Sequence, residues 1–460
     1  MKLAALLLAL TAVVWGKSKP TEKIFVFTNV NIVDTRGGPT KERVTVVVKN
    51  GRITGIAPIG LIEESRNTIV INADGKYLIP GLWDMHVHSA FNDPVWDEKV
   101  IYPLYIANGI TGIRDMGGVL ESLEQRRQHI EHGEVLGPRM VFAGPFLVGG
   151  KSDSQSIGVN TPEEARSAVE TLKKKHVDFI KILSVPRDSY FAIAEQSKKD
   201  HLYFVGHVPP SVSMAEASSA GQRSIEHLTG FALAASSEET QLRQQMFQAK
   251  DRATYFGAGQ RAVETYDPAK ASALISLLAK NNTWQVPTLV WTATQADSER
   301  ANTEFLKYVP ASIREQWKAQ KTAADQLAEY KRDAAQGPVT VRQMRQGGVR
   351  FLAGSDGPDP MVVPGFSLHR ELELLVESGF TPLQALQTAT LNPSQFLGIS
   401  DKYGTVEKGR IADMVLLAAN PLTDIRNTTK IAGVMVEGKY HPREELDRVL
   451  AGLEAEARKQ

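Results

Sequence analysis

The stretch from Leu78 to Ala90, LIPGLWDMHVHSA, decides how the rest of the chain is read. An apolar run starting at Leu82 ends in two histidines one residue apart. In an extended strand, residues i and i+2 point to the same side. His86 and His88 therefore present two imidazoles together at the end of a strand that reads as buried. Two imidazoles converging on one point suit a divalent metal such as zinc. The pair alone is a weak signal, so the decision passes to the segments that follow.

Seven further apolar runs follow LWDMHVH (82–88): GITGIRD (109–115), RMVFAGPF (139–146), VDFIKIL (177–183), LYFVGHV (202–208), RSIEHL (223–228), WQVPTLVW (284–291) and VRFLAGSD (349–356). Helical stretches separate them, several with clear starts. Thr161-Pro162 with Glu164 combines a cap, a proline in the first turn and a capping-box acid, and Asp267-Pro268 and Thr381-Pro382 repeat the first two features. Strands alternating with helices predict an α/β fold, a parallel (β/α)8 TIM barrel, with an open doubly wound sheet as the competitor. Lys181, His207, His227 and Asp356 each close an apolar run, at the end where a barrel keeps its catalytic groups. Each has a bland reading as a strand-end lysine, a core histidine or a turn cap. All of them must be bland at once, in order, for the site to vanish.

Working outward, residues 24–77 are rich in β-branched runs, and NG at 50–51 and DG at 74–75 read as hairpin turns. The same texture returns after residue 403. The two ends, 19–79 and 404–441, are expected to form one composite β-sandwich domain, with the catalytic barrel over 80–403 and an amphipathic helix over 442–460. Two long connections interrupt the barrel pattern. Residues 232–266 read either as a lid or pocket wall or as a solvated helical excursion.

The net charge of +1 over 460 residues makes no electrostatic case for nucleic acid as a partner. The chain has no cysteine, so it forms no disulfide and takes no lipid through one. Lys2 followed by an apolar run to Trp15 reads as a signal peptide over 1–16, which implies export to a periplasm or the exterior without a lasting membrane anchor.

Pro80, Gly81, Asp84, His86 and His88, the strand-four lysine, the single histidines after strands five and six, the strand-eight aspartate and the closing G-x-x-x-x-G-x-x-A-D-x-V from Gly404 to Val415 together resemble the amidohydrolase superfamily. GIRDMGG (112–118) and GFSLHRELELLVESGFTPLQALQTAT (365–390) are similar to its imidazolonepropionase-like branch, which includes metal-dependent Xaa-Pro dipeptidases. The resemblance implies two divalent ions, zinc first. His86, His88 and Asp356 would hold one and His207 and His227 the other, with Lys181 bridging both as a carbamate made with carbon dioxide. It implies hydrolysis of an amide or peptide bond in a small substrate, a dipeptide or N-acyl amino acid. A metal-bridging hydroxide would be the nucleophile and Asp356 the general acid and base.

Two other functions compete. A mononuclear deaminase or imidazolone-type ring hydrolase would lack the bridging lysine, and deaminases often carry an acid soon after the strand-five histidine, where this chain has Val208, Pro209 and Pro210. A non-catalytic scaffold relative would have lost ligands. Lys151 stands where dipeptidases of the branch carry a histidine after a glycine pair, which weakens the implication of an Xaa-Pro preference. Lys151, Arg223, Tyr255 and Trp291 are the candidate substrate contacts. His129, His132, His176, His201 and His441 read as solvated, His369 as a helix cap, and Arg114 with Asp115 as an ion pair. A homo-oligomer is compatible with all of this.

Overall fold

The computed structural model describes residues 23–58, 67–90, 96–298, 303–320 and 322–459, and the expected signal peptide lies outside them. The N-terminal segment forms β1 (Ile24–Ile32), β2 (Lys41–Lys49), β3 (Arg52–Pro58), β4 (Thr68–Asn72) and β5 (Tyr77–Pro80). Asn50 and Gly51 both adopt positive φ, 53° and 68°, which matches the right-handed twist of a two-residue hairpin between β2 and β3. The Asp74-Gly75 turn is not a hairpin. β4 pairs in parallel with the first half of β1 and β5 with its end, so the turn only lets the chain continue along the same strand.

Near the other terminus come strands that complete the sheet, numbered after those of the barrel: β15 (Met414–Leu417), β16 (Ile431–Val436) and β17 (Lys439–Pro442). The sheet order is β17-β16-β15-β5-β1-β2-β3, with β4 also on β1. Hydrogen bonds from Ile53 to Arg410 and from Ala412 to Gly51 carry β3 back to the segment before β15. The sheet thus folds around an apolar cluster that includes Phe27, Val46, Ile53, Leu78 and Met414. The helix Arg443–Ala457 buries Leu446, Leu453 and Ala457 and packs outside.

The barrel strands are β6 (Leu82–Val87), β7 (Ile110–Asp115), β8 (Arg139–Phe142), β9 (Phe146–Val148), β10 (Ser156–Gly158), β11 (Ile180–Ile182), β12 (Phe204–Gly206), β13 (Ser224–Glu226) and β14 (Trp284–Val286). β6-β7-β8 and β9-β11-β12-β13-β14 run in parallel order, with β10 paired to β9 alone. Asp178 donates to the Phe142 carbonyl and Leu183 to that of Leu147, so β8 and β9 together serve as the third barrel strand. Residues 351–356 supply the eighth. Leu352 donates to Gln285 on one side, Met85 donates to Ala353 on the other, and Asp356 donates to His86 at 2.7 Å. Gly354 is required there, because a Cβ would stand 2.6 Å from the His86 Cβ. The run expected to reach residue 291 as strand stops at Val286. Pro287 and a left-handed Thr288 (φ 47°) turn the chain into the helix Leu289–Ala296.

One irregularity aims the opening motif. The β6–β7 register slips between Asp84 and Val87, so β6 carries a bulge. Trp83 and Met85 join the barrel-interior cluster with Phe179 and Val205, while Leu82 and Val87 join the outer core. Asp84 is turned to the eighth strand, where its carboxylate accepts from the Ser355 backbone (2.9 Å) and hydroxyl (2.6 Å).

Candidate metal centre

His86 is fully buried, and its Nδ1 lies 2.8 Å from Glu226 Oε2. Nδ1 therefore carries the proton, and Nε2 is left as a lone pair. The same holds for two more rings. His88 Nδ1 donates to the Gly117 carbonyl at 3.0 Å. His227 Nδ1 is 2.7 Å from Thr288 Oγ1, whose own proton goes to the Pro287 carbonyl at 2.9 Å. Three Nε2 lone pairs then face one carboxylate: His86 and His88 lie 3.2 and 3.4 Å from Asp356 Oδ1, and His227 lies 3.7 Å from Oδ2. Lone pairs facing a carboxylate repel unless a proton or a cation sits between them. His86, His88 and Asp356 offer ligand atoms within 4.8 Å of one another, a spacing that a divalent ion fits.

His207 and Lys181 complete the pit. The His207 ring centroid is 5.0 Å from that of His227, and its buried Nε2 has no hydrogen-bond partner. Burial, helped by the Lys181 charge, keeps His207 neutral far below the usual imidazole range, and burial pushes His227 down to about 3. Both are thus in the ligand form at neutral pH. Lys181 is 1% exposed on β11, and burial lowers its amine to about 8 against the opposing pull of Glu226 and Asp356. His227, Thr288 and Asp356 all sit at positive φ without being glycine, a concentration of backbone strain at one place.

The supporting residues were less legible. Arg114 does not pair with Asp115, because neighbours on a strand face opposite ways. Its guanidinium donates to both Glu226 oxygens at 3.1 Å and to the Met85 carbonyl. Asp115 instead accepts from the Ser89 backbone and hydroxyl and from Gly117, fixing the chain on both sides of His88. Glu226 and Thr288 were not anticipated; a carboxylate inside the apolar run RSIEHL was the available signal. His369 is neither a cap nor catalytic, and bridges Thr428 and Asn108. His441 is buried on β17 and pairs with Glu445, not solvated. His129 is half-buried against Glu98, while His132, His176 and His201 are exposed.

Of the candidate substrate contacts, Trp291 and Tyr255 line a cavity of about 520 Å³ that reaches His207, His227 and Asp356. Helices within 231–264 supply its wall through Leu233, Met246 and Ala262, so this insertion is pocket wall and not a solvated excursion. Arg223 lines no cavity at the mouth. It lies at the start of β13, bonded to the Phe396 carbonyl and stacked on Tyr203 and Phe396, beneath the barrel. Lys151 is exposed and lines neither mouth cavity.

Comparisons with known proteins agree with this fold. The chain is 22% identical to the ochratoxinase of Aspergillus niger over 410 residues, which covers 76% of this chain and 72% of that protein. It superposes on a bottromycin amidohydrolase with a TM-score of 0.73 at 23% identity, covering 94% of this chain and 90% of the other. A Xaa-Pro dipeptidase with methionine in its active site gives 0.68 at 20% identity, covering 91% and 100%. The Amidohydrolase family profile matches residues 77–440, so this chain belongs to the amidohydrolase family and is a hydrolase of C–N bonds.

Proposed function

We propose that the protein is a binuclear metal-dependent hydrolase that cleaves the amide or peptide bond of a dipeptide or N-acyl amino acid. The observation that carries the reading is the convergence of three Nε2 lone pairs on Asp356, beside an unpartnered His207 Nε2 and a buried Lys181. His86, His88 and Asp356 would hold one ion, His207 and His227 the second, with Lys181 between them as a carbamate. A buried neutral amine is a poor bridge, whereas a carbamate offers two anionic oxygens. Bound divalent ions supply a water ionised near neutral pH and polarise the substrate carbonyl.

The chain's own residues do the rest. Asp356 takes the proton released by the attacking water and delivers it to the leaving nitrogen. Glu226 and Thr288 hold the imidazole tautomers, and the wall from 231–264 covers the substrate. The relatives named as ochratoxinase, Xaa-Pro dipeptidase and bottromycin amidohydrolase point to the same bond type. Export fits Lys2 and the apolar run that follows it.

Metal content per chain, measured by inductively coupled plasma mass spectrometry after expression with bicarbonate, tests the centre. Two ions per chain are expected, one would transfer the reading to a mononuclear enzyme, and none after reconstitution would remove it. Asp356→Asn should lower kcat by about 100-fold or more. Near-wild-type turnover with metal retained would remove Asp356 as the proton carrier.

A further inference from the structure

The site opens into two cavities that share Asp356 and Trp291. The larger, about 520 Å³, lies on the His207 and His227 side and is lined by Phe231, Leu233 and Leu289 and by Arg243, Arg332, Glu329 and Asp333, the two acids both paired with Arg332. The smaller, about 280 Å³, lies on the His88 side and is lined by Phe146, Gln155, Pro358 and Asp359. Among the described residues no lysine or arginine lines the smaller one, and its two carboxylates are Asp356 and Asp359. Trp291 stands between the cavities. Its ring centroid is 5.9 Å from that of His227, and its Nε1 donates to Asp359 Oδ2 at 2.5 Å. Gln295 donates to the same oxygen at 3.3 Å.

Asp359 makes no ion pair among the described residues. Burial raises its carboxyl to about 6, opposed by the Trp291 hydrogen bond and by His88 on the same cavity wall and reinforced by the charge of Asp356. A carboxylate left in such a place is costly until an opposite charge arrives. In an α-aminoacyl substrate the ammonium stands one carbon from the scissile carbonyl. A carbonyl held over Asp356 therefore places that ammonium in whichever cavity takes the acyl part. The small cavity offers it Asp359.

We infer that the small cavity receives the N-terminal residue of the substrate, that Asp359 pairs with its free α-ammonium, and that the large cavity takes the leaving residue. The substrates are then peptides or amino-acid amides with a free N-terminus and not N-acyl amino acids. An N-acylated substrate would set a neutral amide against Asp359 and leave the carboxylate unpaired, which is how a polar site rejects a near-isostere. The inference rests on the hydrolase reading above and narrows it.

The test compares metal-loaded wild-type protein and Asp359→Asn on a panel of dipeptides with small and apolar residues at both positions, each beside its N-acetyl form. The asparagine keeps an acceptor for Trp291 and Gln295, so the ring between the cavities stays in place. Wild-type protein should prefer the free dipeptides. Asp359→Asn should raise their KM by about 10- to 100-fold, the usual weight of a charged hydrogen bond, and should raise kcat/KM on the N-acetyl forms, whose amide no longer faces an unpaired carboxylate. Equal or better hydrolysis of N-acetyl forms by wild-type protein overturns the inference and leaves the hydrolase reading standing. An equal loss on both substrate classes reduces Asp359 to a support for Trp291 and also overturns it. Hydrolysis of neither class by protein carrying its metal overturns the dipeptide and N-acyl hydrolase reading, and the inference with it.

Discussion

Glu226 is a fully buried acid held by three side chains. It accepts from Arg114 with both oxygens, from Ser224 at 2.5 Å and from His86 at 2.8 Å, with no solvent contact. Burial works against its charge, and Arg114 and His86 more than compensate, so it stays ionised. Its work is to hold the His86 proton on Nδ1. Glu226→Gln keeps the shape but removes the charge and forces an amide donor against one of two donors. It should weaken metal affinity by about 10- to 100-fold, the usual effect of removing the group that orients a ligating histidine. Competition against a fluorescent zinc chelator reads this directly, and unchanged affinity would show that His86 needs no such hold.

Between elements, Glu371 ties the helix Phe366–Glu377 to the start of the helix Leu289–Ala296 by accepting from the Val290 amide at 2.8 Å. Thr288 and Trp291 lie on either side of that contact, so the tie positions both the His227 partner and the wall between the cavities. Burial raises the Glu371 carboxyl to about 8. An acid raised on folding keeps its proton while the unfolded chain has lost it. Its contribution is therefore complete below the unfolded value, 4.5, and is lost as pH rises toward 8. Glu371→Gln lacks this loss. Its stability relative to wild type should climb by about 1.4 kcal/mol per pH unit across that window, measured by urea unfolding at pH 5, 6.5 and 8. Parallel profiles for the two proteins would sink this account of Glu371.

For the whole molecule, the proposed metal centre would join strands from across the barrel: His86 from β6, Lys181 from β11, and the ends of β12, β13 and the eighth strand. Ions held there would link both sides of the barrel and stabilise only the folded chain. Prolonged dialysis against a chelator should lower Tm by about 5 °C or more, and added zinc should restore it. A Tm indifferent to chelation, with metal shown to be gone, would mean the barrel stands without its centre.

Much of this was readable along the chain, because it depends on neighbours in sequence. Alternation set His86 and His88 on one side, proline and capping-box residues started the helices at 162 and 382, and the ends of the apolar runs carried Lys181, His207, His227 and Asp356. These are local rules, and a local window contains all they need. The tautomers were decided elsewhere. Glu226 lies 140 residues from His86, Ser355 lies 271 from Asp84, and Thr288 lies 61 from His227. The bulge in β6, the left-handed turn that ended the seventh strand early and the division of the pocket by Trp291 likewise depend on packing between strands that no local pattern marks. The sequence by itself determined the kind of chemistry, through which donor atoms end which strands. Only the tertiary structure decided where each proton sits, because a hydrogen-bond partner brought in from a distant strand chooses it.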